Sequence, residues 1–403
     1  MNDKEIMDIE NRYLANVFSK KPIVLTQGKG ALVWDINGKE YVDCSTSYGV
    51  ALLGHCHPKV VAAVQTQAEQ LITCHSCYYN DKRAEFIQKL VKITPKGLDK
   101  AFLSNSGAES VECAIKLARK FTGKPEIIAL MGAFHGKTMG ALSATWDKKY
   151  RDPFMPLVPE IKHVAPDNAD KIREAITEKT AAVLMEPIRG EGGIRVPPDG
   201  YLQAVRQICD EKNVLLIFDE VQTSFGRTGK LFGCQNWDVV PDIMCLAKPF
   251  AGGLPIGITV AKENIMASFK IGEHSTTFSG NPLVCAAGCA ALDALIEENL
   301  TEHAAEMGKY FKTGLEALMS KHKIVKEVRG LGLMLGMELR FDVHNTIQKA
   351  ADRGVLVLDA GRTVVRLLPP LVINKKQIDR AINVLDEVLG EEENERASST
   401  VPN

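Results

Sequence analysis

Two apolar runs, each followed by a charged residue, restrict most strongly how this chain can fold. Residues 214–218 read Val-Leu-Leu-Ile-Phe and precede Asp219, and residues 243–247 read Ile-Met-Cys-Leu-Ala and precede Lys248. Five consecutive apolar residues without alternation predict a strand buried on both faces, as in a parallel sheet. Because ligands in open α/β sheets bind beyond the carboxyl ends of the strands, we expect Asp219 and Lys248 to lie at one edge of the sheet.

An acid and an amine at such an edge are the groups that suit pyridoxal phosphate (PLP). The lysine forms a Schiff base with the aldehyde, and the acid keeps the ring nitrogen protonated so that the ring can accept electrons. Burial lowers the pKa of a lysine and makes its amine a usable nucleophile and base. Taken alone, Asp219 and Lys248 fit equally well as a solvated pair at strand ends.

Length and composition indicate a globular protein without an unusual partner. The chain has 403 residues, 45% of them hydrophobic and 25% charged, which suits two domains or one large core with a smaller appendage. The formal net charge of -1 gives no overall attraction to nucleic acid or to a membrane. The N-terminal segment has mixed charge, and no apolar run approaches the roughly 20 residues of a membrane span. We therefore predict a cytoplasmic protein with neither nucleic acid nor membrane as a partner.

The ten cysteines are scattered, which predicts reduced thiols instead of a disulfide framework. One cluster contains residue types that bind zinc, namely His-Cys-His at residues 55–57 and Cys-His-Ser-Cys at residues 74–77. The Cys-x-x-Cys spacing occurs only once there, and no second knuckle follows. We therefore predict no metal site.

The pattern of strand-like and helical stretches divides the chain into an α/β region and an α+β region. Residues 51–293 alternate strand-like and helical stretches, which predicts a large domain with a mainly parallel sheet covered by helices. Residues 1–50, with a hairpin pattern around Asn37-Gly38, and residues 294–390 predict the two parts of a small domain. The polar residues 391–403 predict a disordered tail.

Two short motifs within the large domain have the residue types needed for a flat, phosphorylated ligand. Ser106, Gly107 and Ala108 open a helix, and small residues there let backbone N–H groups approach a phosphate. Phe134 and His135 follow the next strand, where an aromatic side chain can stack on a ring. Each motif alone also fits an ordinary helix start or a core phenylalanine beside a loop histidine.

Together, the motifs resemble those of the class III (ornithine-type) aminotransferases of PLP fold type I. They occur in the family's order and extend over nearly the whole chain: residues 104–108, 134–136, 186–193, 219–223 and 226–229, Lys248, and residues 275–282. The resemblance implies a large domain with a mostly parallel seven-stranded sheet and a small α+β domain built from both termini.

The resemblance also assigns roles around the cofactor. It implies that Lys248 is the Schiff-base lysine and carries protons, that Asp219 pairs with the ring nitrogen, and that Gln222 binds the ring hydroxyl oxygen. Phe134 would stack on the ring. The remaining cofactor-binding residues that it implies are Ser106, Gly107, Ala108, His135, Glu186 and Thr277. Because the matching threonine reaches the cofactor of the partner subunit, the resemblance implies a homodimer with shared active sites.

Four residues are implied in substrate recognition. Glu191 and Arg366 match a pair in which the arginine binds the carboxylate of glutamate or 2-oxoglutarate, and the acid neutralises it when the amine donor is present. Tyr48 matches a tyrosine that binds the donor's α-carboxylate. Lys137 stands where the family has arginine, so that carboxylate would be held without a fixed fork. Pro249 also departs from the family, and we expect it to bias Lys248 toward extended geometry.

The likeness is strongest to acetylornithine aminotransferases and to enzymes that act on lysine or ornithine linked to a small acidic amino-group carrier protein. Residues 142–154 and 365–370 carry it, and Lys148, Lys149 and Arg151 would attract such a carrier unless they form a merely solvated loop. We predict an ω-aminotransferase that exchanges amino groups between a blocked lysine or ornithine, carrier-linked or N-acetylated, and 2-oxoglutarate or glutamate. The pathway would be lysine or arginine biosynthesis.

The alternative is an aminotransferase for 4-aminobutyrate or another small ω-amino acid. The rival classes are a decarboxylase or racemase that uses PLP, and a non-catalytic binding or scaffold protein, against which the presence of Lys248 and Asp219 argues.

Overall fold

The computed structural model describes residues 1–399, and its first elements form a hairpin ahead of the large domain. They are α1 (Asp3–Tyr13), β1 (Leu25–Lys29), β2 (Leu32–Asp35), β3 (Glu40–Asp43) and the one-turn element α2 (Thr46–Gly49). The three strands pair antiparallel in the order β1-β2-β3. The turn between β2 and β3 contains Gly38, whose φ of 82° is in the left-handed region that glycine adopts without strain.

The large domain alternates strands and helices as the sequence predicts. Its elements are α3 (Pro58–Ala68), α4 (Asp81–Ile93), β4 (Lys100–Ser104), α5 (Gly107–Thr122), β5 (Glu126–Leu130), α6 (Met139–Ala144), α7 (Lys148–Arg151), β6 (Ile161–Val164), α8 (Ala169–Ala175), β7 (Thr180–Met185), α9 (Tyr201–Lys212), β8 (Leu215–Asp219), β9 (Ile243–Ala247), β10 (Gly257–Ala261), α10 (Glu263–Met266) and α11 (Pro282–Glu297). Short 3-10 helices cover Asp152–Phe154, Gly233–Trp237 and Lys248–Ala251.

Seven strands form one sheet in the order β4-β10-β9-β8-β7-β5-β6. Only β10 runs antiparallel to its neighbours, so the predicted seven-stranded, mostly parallel sheet is confirmed. Every residue of β7 and β9 is buried, because apolar clusters cover both faces of the sheet. Strand β8 ends at Asp219, and Lys248 directly follows the adjacent parallel strand β9, so both residues lie at the same edge.

The rest of the chain forms a smaller α+β unit. Its elements are α12 (Leu300–Lys321), β11 (Val325–Leu331), β12 (Met334–Leu339), α13 (His344–Asp352), β13 (Val355–Leu356), β14 (Leu358–Asp359), β15 (Val364–Leu367) and α14 (Lys375–Ser399). Strands β11, β12, β15 and β14 form an antiparallel sheet in that order. Strand β13 instead pairs parallel with β3, which joins the two ends of the chain in one sheet. The domain boundaries at residues 50, 293 and 390 stay predictions.

The end of the chain differs from the sequence prediction of a disordered tail. Residues 391–399 continue α14 as a helix, and the remainder of the predicted tail lies outside the described residues. The reason is a set of ion pairs that the polar composition does not reveal. Glu392 is buried, accepts a hydrogen bond from Asn345 at 2.6 Å, and pairs with Lys349 at 3.0 Å, which fixes the helix end against α13.

A fully buried arginine connects the large domain to the small one. Arg227 donates from Nη1 to the carbonyl oxygens of Leu333 at 2.9 Å and Pro369 at 2.5 Å. The backbone approaches closely at the same place, since a Cβ on Gly332 would lie 2.4 Å from the carbonyl carbon of Thr228. Burial lowers the pKa of Arg227 to about 9. The role of this residue in the motif at residues 226–229 is therefore to satisfy small-domain carbonyl groups.

We predict that Arg227→Ala lowers the free energy of unfolding by about 2 to 4 kcal/mol, since it opens a cavity and leaves two buried carbonyl groups without a donor. Urea denaturation of the variant and the wild type measures the difference. Arg362→Ala is the matched control, because the Arg362 side chain is 87% exposed and meets only the exposed Asp342. An Arg227→Ala protein as stable as the control would contradict this role.

Candidate active site

A cavity of about 660 Å³ opens at the carboxyl edge of the seven-stranded sheet. The predicted site residues that line it are Tyr48, Ser106, Gly107, Ala108, Phe134, His135, Lys137, Glu186, Glu191, Asp219, Gln222 and Lys248. Arg366 is buried beside the cavity and contacts it through Glu191. Thr277 is exposed and does not line the cavity of its own chain.

Lys248 lies at the turn that follows β9, and its backbone is not extended as the sequence analysis expects. Its φ is 54°, in the left-handed region, although Pro249 follows it. The buried strand before it and the 3-10 helix after it fix this conformation, which outweighs the local preference that proline imposes. Desolvation lowers the pKa of the Lys248 amine to about 8, so near neutral pH about a tenth of it is uncharged, far more than for an ordinary lysine.

Asp219 is held in position by a histidine from a neighbouring loop. Its Oδ2 is 2.8 Å from Nδ1 of His135, and its Oδ1 accepts from the N–H of Val221 at 3.1 Å. The backbone N–H of His135 donates to Oγ1 of Thr145 at 2.9 Å. These bonds fix the orientation of a buried carboxylate within the cavity wall. The sequence analysis did not identify Thr145, because nothing local connects it to Asp219.

Glu186 connects two loops at the edge of the sheet. Its Oε1 accepts from the N–H of Phe134 at 3.0 Å, and its Oε2 accepts from the N–H of Gly190 at 2.9 Å. Burial raises the pKa of this carboxyl to about 7. The same side chain therefore fixes the loop that carries Phe134 and the loop that presents Glu191.

The groups that PLP requires are present in the cavity wall. Oε1 of Gln222 is buried and has no hydrogen-bond partner among residues 1–399, so an acceptor is available to a ring hydroxyl group. Helix α5 begins with its first N–H groups at Gly107 and Ala108, where an anion is stabilised. A Cβ on Gly107 would lie 2.9 Å from Val221, so glycine keeps this approach open. With Lys248 and Asp219, these groups fit the cofactor at its ring and at its phosphate.

Glu191 and Arg366 form an ion pair beside Lys248. Nη1 of Arg366 is 2.6 Å from Oε1 of Glu191, while Nε and Nη2 are buried and have no partner within the described chain. The guanidinium of Arg366 also lies over the ring of Tyr48, 5.2 Å from its centroid. Tyr48 belongs to a left-handed turn that includes Thr46 and Ser47, with a φ of 60° at Tyr48. The turn places the tyrosine ring between the hairpin and the cavity.

Three cavity residues could not be identified by sequence analysis. Tyr150 packs edge-on against Phe134 with ring centroids 5.8 Å apart, and Nζ of Lys137 lies 4.8 Å from its centroid. Phe18 and Asp359 come from opposite ends of the chain and line the same cavity. Of these three residues, only Tyr150 lies within a segment that the sequence singles out, namely the basic segment that forms α7.

No group of three or more His, Cys, Asp or Glu side chains within residues 1–399 is placed to hold a metal ion. Over the same residues, no helix has both the length and the apolar character needed to cross a membrane.

The fold, the lysine after β9 and the acid at the end of β8 define a PLP-dependent enzyme of fold type I. Comparison with known protein families identifies the family to which this enzyme belongs. The pattern of the family described as Aminotransferase class-III matches residues 13–389, and the chain belongs to that family. It is therefore an aminotransferase that uses PLP, as the motifs predict.

Similar proteins narrow the type of reaction. The chain is 48% identical over 391 residues to the acetylornithine aminotransferase of Methanopyrus kandleri, covering 96% of this chain and 99% of that one. It is 46% identical over 391 residues to the LysW-aminoadipate semialdehyde transaminase of Deinococcus radiodurans, with 96% and 91% covered. The solved ornithine aminotransferase of Toxoplasma gondii superposes with a TM-score of 0.94 at 33% identity, covering 98% of this chain and 96% of that one. These relatives support an ω-aminotransferase.

The lowered pKa of Lys248 generates a prediction about cofactor attachment. Only the uncharged amine attacks an aldehyde, so the rate at which apoenzyme gains its visible absorption should rise with pH. We expect half of this rise near pH 8, not near the ordinary lysine value of 10.5. Stopped-flow absorbance measures it. The reaction of PLP with Nα-acetyl-lysine, followed in parallel, corrects for ionisation of the cofactor itself, and a midpoint shared with this amine would contradict the burial of Lys248.

Proposed function

We propose that this aminotransferase exchanges the terminal amine of a blocked lysine or ornithine, carrier-linked or N-acetylated, with 2-oxoglutarate or glutamate. The observation that carries the proposal is the Glu191–Arg366 pair beside Lys248. Such a site must bind the second carboxylate of glutamate in one half-reaction. In the other half-reaction it must present no free cation to the terminal amine of the lysine or ornithine donor. A reversible ion pair meets both requirements. The pathway, lysine or arginine biosynthesis, and the cytoplasmic location remain predictions.

The geometry of the pair suits such a switch. Arg366 is fully buried and rigid in β15, whereas the Glu191 side chain is 28% exposed and lies on a loop. When Glu191 turns away, a carboxylate can accept from the arginine in a forked arrangement, using the nitrogens that have no partner among the described residues. When Glu191 returns, it neutralises Arg366, and the terminal amine of the donor meets no uncompensated positive charge.

The reaction centre uses the chain's own groups around the cofactor. PLP, when bound, supplies an aldehyde that holds the amine and a ring that accepts electrons. Lys248 is the group that takes a proton from one carbon and returns it to another, which a pKa of about 8 favours near neutral pH. Asp219, oriented by His135, would hold the proton on the ring nitrogen. Phe134 would stack on the ring, and its own position is fixed by the bond from its backbone N–H to Glu186.

The cofactor's polar edges would be bound by residues that the sequence analysis already proposed. The first N–H groups of α5, at Gly107 and Ala108, would hold the phosphate beside Ser106, whose hydroxyl caps the helix by accepting from the N–H of Glu109 at 3.2 Å. Gln222 would accept from the ring hydroxyl.

The donor's α-carboxylate would bind between Tyr48 and Lys137. Burial and the nearby charge of Asp359 raise the pKa of Tyr48, so its phenol stays a neutral donor. Lys137 supplies a point charge in the same cavity, and its contact with the ring of Tyr150 limits its freedom. The names of the relatives favour a blocked ornithine or lysine over 4-aminobutyrate, which is the alternative donor.

A homodimer with shared active sites is part of the proposal. Thr277 lies on an exposed segment, and the neighbouring Thr276 accepts from Nδ2 of Asn105 at 2.9 Å, which fixes that segment near α5. Large apolar side chains are exposed on this segment and on residues 71–79, as expected of a surface that a second subunit covers. These side chains are Leu71, Ile72, Tyr78, Tyr79, Ile271 and Phe278.

We predict that Glu191→Gln slows the donor half-reaction by about 10-fold or more, because Arg366 is then never neutralised. The glutamate half-reaction should stay within about 2-fold of wild type, since a forked carboxylate still meets the same guanidinium. Loss of the visible cofactor band on addition of N-acetylornithine, carrier-linked lysine, 4-aminobutyrate or glutamate measures each half-reaction.

Glu327→Gln is the matched control for this variant, because Glu327 is a partly exposed acid that pairs with arginines outside the cavity. Equal slowing of both half-reactions would contradict the switch. A wild-type protein that reacts fastest with 4-aminobutyrate would contradict the blocked donor.

The carrier-linked form of the donor is supported by a basic cluster at the cavity mouth. Lys148 and Lys149 are exposed on α7, and Tyr150 of the same helix lines the cavity. Arg151 differs from the two lysines because its Nε is buried. An acidic carrier would therefore meet the two lysines first, and a partner of this kind matches the LysW that the Deinococcus relative's name contains.

We predict that Lys148→Glu together with Lys149→Glu lowers the rate with a carrier-linked donor by about 10-fold at low salt and leaves N-acetylornithine unchanged. The difference should shrink as salt is added, because exposed charges are screened. Steady-state rates with both donors measure it. Reversal of Lys375 and Lys376, two exposed lysines at the start of α14, is the control. Equal losses with both donors would indicate a structural effect and contradict steering.

A further inference from the structure

Asp359 differs from every other carboxylate that lines the cavity. Glu186 accepts from two backbone N–H groups, Asp219 is bonded to His135, and Glu191 is paired with Arg366. The side chain of Asp359 makes no hydrogen bond or ion pair with any residue of the described chain, although it lies in the same cavity wall. Asp359 is exposed, and its charge acts on Lys21, but its carboxylate oxygens have no hydrogen-bond or ion-pair partner among the described residues and are available to a ligand.

Strand pairing fixes where this carboxylate lies. Asp359 ends β14, which pairs antiparallel with β15, so that Leu358 is opposite Arg366 and Asp359 is opposite Val365. Tyr48 is on the other side of the same opening, and its ring contacts Arg366. Burial and the nearby charge of Asp359 raise the pKa of Tyr48. Asp359 and the Tyr48 hydroxyl therefore lie at the same end of the cavity.

The covalent structure of an amino acid then determines what Asp359 meets. In the proposed function, Tyr48 binds the donor's α-carboxylate, and the further inference rests on that role. The α-nitrogen and the carboxylate carbon are bonded to the same atom and lie about 2.5 Å apart. A donor held at Tyr48 thus brings its α-nitrogen to the mouth of the cavity, beside Asp359.

We propose that Asp359 recognises the α-nitrogen of the amine donor and is the residue that sets the preference between unblocked and blocked donors. An α-ammonium group forms a charge-assisted hydrogen bond with a carboxylate, whereas an acylated nitrogen keeps one neutral N–H. The acyl carbonyl oxygen also gains nothing from a neighbouring carboxylate. Asp359 therefore strengthens binding of free ornithine or lysine and contributes little for the blocked forms, so the free amino acids remain substrates beside the blocked donors of the proposed function.

The arrangement tolerates the donor's own negative charge. Lys137 is in the same cavity wall and offsets repulsion between Asp359 and the α-carboxylate. Lys21 is the other cation near Asp359, and its Nζ is 3.3 Å from the carbonyl oxygen of Val357. Within the cavity wall, Asp359 and Lys137 thus supply one carboxylate and one ammonium group for a ligand end that carries the same two charges.

The test compares ornithine with 5-aminopentanoate, which has the same terminal amine and carboxylate and lacks the α-nitrogen. We expect wild type to react faster with ornithine, and Asp359→Asn to lower the ornithine rate constant by about 10-fold. Its rate constants with 5-aminopentanoate, N-acetylornithine and glutamate should stay within about 2-fold of wild type. Asp359→Glu should retain most of the preference for ornithine. Asp99→Asn, which removes an exposed charge outside the cavity, is the control.

Three outcomes would overturn the proposal for Asp359. They are a wild type without preference for ornithine over 5-aminopentanoate, an Asp359→Asn protein that keeps this preference, and an equal loss with both compounds. The glutamate arm separates this failure from failure of the proposed function. If wild type bleaches with neither glutamate nor any terminal amine, the aminotransferase assignment of the cavity is wrong, whatever Asp359 does.

Discussion

The parallel pairing of β8 with β9 is the constraint on which the candidate active site depends. Phe218 pairs with Met244 and Asp219 with Cys245, so the chain leaves both strands at one edge. Both strands are buried, and a shift in register would expose apolar side chains or bury charged ones. The same burial that stabilises the sheet therefore fixes the distance between the acid and the lysine, and it removes water from the lysine amine, whose pKa falls to about 8.

Buried polar groups extend this rigidity to the loops. Glu220, next to Asp219, is fully buried and accepts from the N–H groups of Gly233 at 2.8 Å and Cys234 at 2.6 Å. Burial raises its pKa, which makes these bonds necessary to hold the carboxyl group. Glu186 acts in the same way for the loops of Phe134 and Gly190. Flexible loops would not hold an aromatic ring, an acid and a lysine at fixed distances from one another. In these loops, which lack strand pairing, the buried carboxylates accept the backbone hydrogen bonds instead.

What the sequence could predict follows from how locally each feature is encoded. The strands before Asp219 and Lys248 are continuous apolar runs, so the sheet and its edge follow from short stretches, whereas the cofactor follows only from several motifs taken together. Phe18 and Asp359 line the cavity only because elements from opposite ends of the chain pack together, and no short pattern predicts that. Lys248 is the opposite case. The following Pro249 predicts an extended backbone at Lys248, but the packing of β9 outweighs this local preference. The end of α14 was missed because its polar residues pair with α13.

The cavity divides by the origin of its walls. Its base is made by the sheet and by α5, where a change at one residue disturbs several buried contacts, and this part carries Lys248 and Asp219. Its mouth is made by α2, α7 and β14, whose side chains are more exposed and less coupled to the core. We therefore expect a substitution at Tyr48, Tyr150 or Asp359 to alter which donor binds while leaving the sheet and Lys248 in place. Donor choice is then expected to depend on the short elements at the mouth and the reaction to depend on the sheet.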